Sequence, residues 1–156
     1  MPVRTQHPQE QHTFLLREGT WEAEGRGLLG VEATEARITG RTVVRHPEPD
    51  RITNEGWMRV HSSPAFEVWQ RYEFSPTDRQ GTWTFVSRND RVGELRGEVL
   101  FWGPHALLHY ASAKGRFRGS ECMTRVSDEH YTSVGEFIAD GRAETVWSVE
   151  LKLVED

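Results

Sequence analysis

A two-residue period that persists along almost the whole chain constrains the fold more than any other feature. In the last segment Trp147, Val149, Leu151 and Leu153 alternate with Val146, Ser148, Glu150 and Lys152. Upstream, Phe66, Val68, Gln70, Tyr72 and Phe74 alternate with Glu67, Trp69, Arg71 and Glu73, and Leu95, Gly97, Val99 and Phe101 oppose Glu94, Arg96, Glu98 and Leu100. Successive side chains of a strand point to opposite faces, so such alternation marks strands with one buried face. Turn residues cut the pattern at short intervals: HPEPD at 46–50, SSP at 62–64, SPTDRQG at 75–81, RNDRVG at 88–93, WGPH at 102–105, KG at 114–115, SDE at 127–129 and DG at 140–141. The intervals predict about ten strands, near 19–27, 31–45, 51–61, 66–75, 81–88, 93–102, 106–113, 116–126, 130–139 and 143–154. Most connections are short, so consecutive strands pair antiparallel. A meander of this kind in 156 residues leaves open edges unless it closes on itself. The expected fold is therefore all-β: one domain holding an about ten-stranded antiparallel up-and-down β-barrel over 19–154. A short helix over about 8–17 is expected to precede it, with Phe14, Leu15 and Leu16 as its apolar face and Gly19 as its stop.

One motif competes with this reading. Gly25, Gly27 and Gly30 spell G-x-G-x-x-G, and Asp50 lies about twenty residues further on, the pattern of a dinucleotide-binding turn. That fold needs a helix directly after the glycines and repeated strand–helix alternation beyond them. The residues directly after Gly30 are VEATEARITGRTVVRH, β-branched in their second half, and no alternation with helices appears from Arg41 onward. The glycines read instead as part of a first strand and its turn.

Charge and cysteine content narrow the function classes. A net charge of -5, without a compact basic cluster, argues against nucleic acid as a partner. The arginines are expected to pair with the glutamates along the strands. Cys122 is the only cysteine, so there is no internal disulfide and no cysteine-based zinc site. No apolar run reaches the ~20 residues that span a bilayer, and MPVRTQHPQEQ lacks the apolar core of a secretory signal. These observations read as a cytoplasmic protein without a membrane partner.

Gly19-Thr20-Trp21, opening the first strand after a short helical segment, resembles the G-x-W signature of the calycin barrels, the lipocalins and fatty-acid-binding proteins. The run Gly19-x-Trp21-x-Ala23-x-Gly25-x-Gly27 is similar to the opening of nitrobindin-type barrels, with Ala23 in place of one glycine. Small bacterial lipocalin-like domains resemble the same layout, including the stretch from Asp128 through Tyr131 and Asp140-Gly141 to Val154. The resemblance implies that Trp21 packs across the closed end of a barrel, with a basic residue of the last strand, Arg142 or Lys152, over it. Nitrobindin-type proteins hold haem through a histidine near the C-terminus. The last histidine here is His130, so no cofactor is expected and haem stays a minor alternative. His105 and His109 share a strand face but lie about 13 Å apart, too far to share a metal, and no metal site is expected.

The candidate site consists of polar residues on otherwise apolar faces. Gln70 and Tyr72 share a face with Phe66, Val68 and Phe74; Glu121 with Phe117 and Met123; Asn54 with Ile52, Met58 and Val60. Tyr110 goes with Leu108 and His109 with Leu107, and one of these pairs points inward. A cavity lined by aromatic residues adds Trp83 and Phe101. The expected ligand-binding set is Asn54, Met58, Gln70, Tyr72, Trp83, Phe101, Tyr110 and Glu121. An inward Glu121 needs either a partner such as Arg125 or a raised pKa. The main reading is a binding module for a small, largely apolar molecule. The alternatives are an isomerase, cyclase or lyase using Glu121, Tyr72 and His109 as acid and base, or a nitrobindin-like haem protein. Trp69 and Trp102 fall on outer faces, where they would pack on the helix or in a homodimer.

Overall fold

The structure is a computed structural model and describes residues 12–30, 32 and 34–155. Ten strands follow one another: β1 Gly19–Leu29, β2 Thr34–Glu48, β3 Arg51–His61, β4 Phe66–Pro76, β5 Thr82–Asn89, β6 Gly93–Trp102, β7 His105–Ala111, β8 Phe117–Ser127, β9 His130–Ala139 and β10 Arg142–Glu155. Each pairs antiparallel with its sequence neighbours, and β1 also pairs with β10, so the sheet closes into a barrel. The expected fold class is the observed one. The β9–β10 turn shows the local chemistry: Asp140 and Gly141 have φ of 52° and 79°, the pair of positive values that a tight two-residue hairpin takes. β2 runs past the expected turn at 46–50. A register shift between Arg45 and Glu48 lets Pro47, which has no N–H to give a neighbouring strand, sit within it.

The two ends of the barrel differ. At the floor, Trp21 and Tyr131 are fully buried (0% exposed), with ring centroids 5.7 Å apart. Phe14 stands edge-on to Trp21 at 5.2 Å. Around them Val44, Ile52, Phe74, Phe85, Val99, Leu108, Met123 and Leu151 form the main core, each contributing ~1.5–3 kcal/mol by burial. Residues 12–18 plug this end. The His12 Nε2–H donates to the Gly103 carbonyl at 2.8 Å, which leaves Nδ1 to accept from the Tyr131 hydroxyl at 3.0 Å. The Thr13 N–H donates to the same hydroxyl oxygen at 3.0 Å.

Two expectations about this end are corrected. Residues 8–11 of the expected helix lie outside the described residues. Residues 12–17 make one turn, closed by Arg17 N–H to the Thr13 carbonyl at 2.9 Å. Leu15 has φ of 68°, which ends a right-handed helix there, and the left-handed twist turns Leu15 into the core (1% exposed). No basic residue of β10 covers Trp21 either. Lys152 is exposed, and Arg142 begins β10 at the far end of the barrel. Phe14 and Tyr131 take that place.

Gly25 and Gly27 lie on the inner face of β1, where a Cβ at 25 would collide with the backbone of β10 and one at 27 with the Ile38 side chain. Gly30 makes the turn with φ of 69°. The apparent nucleotide motif is thus a close approach of three strands leading into a turn. The outer wall carries the expected ion pairs between strands, among them Arg37–Glu24 at 2.8 Å, Arg41–Glu22 at 2.6 Å, Arg59–Glu67 at 3.1 Å and Arg71–Glu55 at 2.9 Å. Exposed pairs of this type contribute at most ~1 kcal/mol each; their effect is to keep that wall polar.

Candidate ligand-binding site in the barrel lumen

Burial changes along the inner faces of β4, β8, β9 and β10. On β4, Phe74 is buried, while Tyr72, Gln70, Val68 and Phe66 are half-buried. On β8, Met123 is buried and Glu121, Gly119 and Phe117 are half-buried. Tyr131 and Ser133 give way to Gly135 and Phe137 on β9, and Leu151 and Val149 to Trp147 and Thr145 on β10. The floor half is packed solid; the mouth half is a lumen on the side of these four strands, and Ala36, Ile38 and Val60 close it on the side of β2 and β3.

Glu121 projects into that lumen. Its Oε2 accepts two hydrogen bonds, from the Ser133 hydroxyl at 2.7 Å and the Trp147 indole N–H at 3.1 Å. Ser133 and Trp147 also approach each other at 3.3 Å. Among the described residues no hydrogen bond reaches Oε1. Arg125, the alternative partner, instead pairs with Asp128 at the floor. Burial therefore pushes the Glu121 carboxyl up, and the bonds from Ser133 and Trp147 only partly oppose this.

Two glycines make the convergence possible. Glu121 faces Gly135 across the β8–β9 ladder, and Gly135 faces Trp147 across β9–β10. A Cβ at 135 would collide with the indole, with its Cε2 at 2.6 Å. The bare backbone lets the Trp147 ring lie across β9 and reach β8. Gly119, opposite Tyr110 in the β7–β8 ladder, does the same for the Tyr110 ring, whose hydroxyl would collide with a Cβ there. Tyr72, across the ladder from Ser87, donates to Gln70 at 3.4 Å. Its phenol is pushed up by burial and by the Glu121 charge, with Ser87 opposing. The Tyr110 phenol is pushed up by burial, then by Tyr72, Glu121 and Glu136. Both rings pack on Phe85, Tyr72 at 5.7 Å and Tyr110 at 6.4 Å between centroids, on the inner face that also carries Glu121.

The remaining expected residues divide between the lumen wall and the floor. Asn54 is on the inner face of β3, buried (9% exposed), and its Oδ1 has no partner among the described residues. Met58 packs in a second apolar cluster with Ile38, Val60 and Val149, which also takes in Phe66 and Trp147 of the mouth half. Trp83 packs against the main core, and the Phe101 ring lies 5.0 Å from that of His12, so both belong to the floor. His109 is corrected. The Tyr110–Leu108 pair points inward, leaving His109 on the outer wall with its side chain 69% exposed, 3.8 Å from Glu98, in a groove that also holds Arg118 and Glu136. Sequence reasoning missed Ser133 and Trp147 as partners of Glu121. The parity of β10 already placed Trp147 inward, but nothing in the chain says that Gly135 lets it cross a strand.

Among the described residues no group of three or more His, Cys, Asp or Glu side chains is arranged to hold a metal ion. No helix among them is long and apolar enough to cross a membrane.

No protein-family model matches the sequence, and no curated protein matches it. Among solved structures, the S-type phycobiliprotein lyase from Guillardia theta is similar, with a TM-score of 0.66 and 9% identity, covering 97% of this chain and 94% of that one. At that identity the likeness concerns architecture alone, and it extends over nearly the full length of both chains.

Proposed function

We propose that this chain binds a small, largely apolar molecule in the mouth half of the barrel, anchored by Glu121 with Tyr110 and Tyr72 beside it. The supporting observation is the Glu121 carboxyl: one oxygen is held by Ser133 and Trp147, and the other is open toward the lumen. A buried carboxyl left half-satisfied suits a site that a ligand completes. Phe66, Val68, Phe117 and Phe137 supply the apolar lining. Native mass spectrometry of the protein isolated from its own host tests this. A non-covalent adduct that quenches tryptophan fluorescence on rebinding is expected. Protein that is empty and leaves Trp147 emission unchanged with every apolar probe refutes the reading.

A second reading, proton-transfer catalysis by Glu121 as an isomerase, cyclase or lyase, draws on the same raised carboxyl next to two phenols. The lyase of like architecture is compatible with it. Glu121→Gln then abolishes turnover while binding persists. A haem ligand fits poorly, because no histidine lines the mouth half among the described residues. His12 is engaged at the floor, and His61, His105, His109 and His130 lie on outer faces. A homodimer through the wall that exposes Trp69 (53%) and Trp102 (71%), in the cytoplasm, remains part of the proposal.

A further inference from the structure

The lumen is not neutral in what it offers a ligand. Among the described residues three inward-facing oxygens that can accept lack a partner, the third being the Ser87 hydroxyl beside Tyr72. Glu121 Oε1 is open because the Ser133 and Trp147 donors converge on Oε2. Asn54 Oδ1 is buried without a partner on β3, which stands opposite β8 in the ring of ten strands. Among the described residues no Lys, Arg or His side chain lies on the inner face of the mouth half. The inward cations, Arg125, His12 and His46, are all at the floor, where Arg125 pairs with Asp128 and His46 bonds to the Leu15 carbonyl. At the depth of Glu121 an anionic ligand would find no counter-charge and would meet the carboxylate. The titratable groups that do face Glu121 are the phenols of Tyr72 and Tyr110, and neither supplies positive charge. The walls are aromatic: Tyr110, Trp147, and the stacked pair Phe117–Phe137 with centroids 5.8 Å apart, ring faces that attract an ammonium. The mouth already uses this contact, with Arg91 4.1 Å over Phe66 and Arg116 4.9 Å over Phe117. Phe117 is four residues, about 13 Å, above Glu121, so these arginines do not compensate it.

We propose that the lumen takes a basic nitrogen compound, an organic ammonium on an apolar aromatic body, whose N–H group meets Glu121 Oε1. This rests on the binding function proposed above and names its ligand class. A buried carboxylate without a counter-ion is costly, and the ammonium supplies the counter-ion. The Ser133 and Trp147 donors already converge on Oε2, which suits the charged form, and the bound cation holds Glu121 in that form.

Three matched probes test this by titration of tryptophan fluorescence at pH 7.5: 1-naphthylmethylammonium, 1-naphthylmethanol and 1-naphthoate. The ammonium is expected to bind at least ten-fold tighter than the alcohol, and the carboxylate weakest. Glu121→Gln is expected to abolish that preference, so that the ammonium and the alcohol bind alike, and a wild-type circular dichroism spectrum reports an intact fold. Should that variant fail to fold, Ser133→Ala, which weakens the carboxylate but keeps it, is expected to reduce the preference several-fold. Equal affinity of the alcohol or the carboxylate, or a preference that survives Glu121→Gln, overturns the ammonium assignment while leaving the lumen as a binding site. Failure of all three probes overturns the binding reading itself.

Discussion

Replacing Gly135 by alanine puts a methyl group where the Trp147 indole now lies. The added carbon meets indole Cε2 at 2.6 Å and the Ser120 carbonyl oxygen at 2.8 Å, both closer than ordinary contacts. Overpacking of this kind costs ~1–3 kcal/mol. If the indole swings away, the N–H bond to Glu121 Oε2 is lost as well, ~1.5–3 kcal/mol for a bond to a charged acceptor. Alanine returns ~0.5–1 kcal/mol of backbone entropy relative to glycine. The net expectation is a loss of about 2–4 kcal/mol, or roughly 5–15 °C in Tm for a chain of this size. The contact with Ser120 and the entropy gain do not depend on the indole, so a double-mutant cycle with Trp147→Leu removes them. In the Trp147→Leu background Gly135→Ala is expected to cost under ~1 kcal/mol, giving a coupling of about 2 kcal/mol from urea unfolding curves. Coupling under ~0.5 kcal/mol would show that the glycine serves the β8–β9 backbone and not the indole, and the account of how the site is assembled would be wrong.

The Glu121 carboxyl keeps its proton above the usual 4.5, so the native state holds more protons than the unfolded state from 4.5 up to the raised value. Its stabilising contribution is complete below pH 4.5 and is lost as pH rises through the folded value; urea midpoints of Glu121→Gln against wild type should diverge over that window and run parallel outside it. The His12 imidazole is pushed below 6.5, chiefly by burial, and shifts the opposite way. Stability is retained above 6.5 and lost as pH falls from there toward the folded value, and an NMR titration of His12 should give a midpoint under 6.5. Tyr131→Phe removes the hydroxyl that Thr13 N–H and His12 Nδ1 share. A cost of ~1–3 kcal/mol and faster hydrogen exchange over residues 12–17 are expected; unchanged exchange there would show that the plug is held by Phe14 and Leu15 alone.

Strand number, pairing and inner faces were legible because each strand repeats one instruction many times. Register shifts occur at Thr20/Trp21, Arg45/Glu48, Arg125/Ser127 and Ala143/Thr145, all near strand ends. The central parity that places Tyr72, Tyr110 and Glu121 inward therefore survives. The floor plug was not legible: Phe14, Leu15 and Leu16 have helical spacing, and only the tertiary demand on Leu15 imposes a positive φ. The site was half legible. Parity identifies a polar residue that faces inward, but its partners come from neighbouring strands. Whether Trp147 reaches Glu121 depends on a glycine on β9, the strand that lies between theirs. His109 against Tyr110 was a choice between two adjacent residues with equally apolar neighbours at i−2, Leu107 and Leu108, and nothing local decides it.

The seam that closes the barrel pairs Thr20 with Glu155 and Trp21 with Leu153. Both ends of the described chain thus leave from the floor, beside the plug and away from the mouth. A tag, surface linker or fused domain joined directly before residue 12 or after residue 155 leaves from the sealed side. The mouth then stays free for solute, so immobilised or fused protein should sample ligands as the isolated barrel does, and the turns at the opposite end remain available for reshaping the entrance.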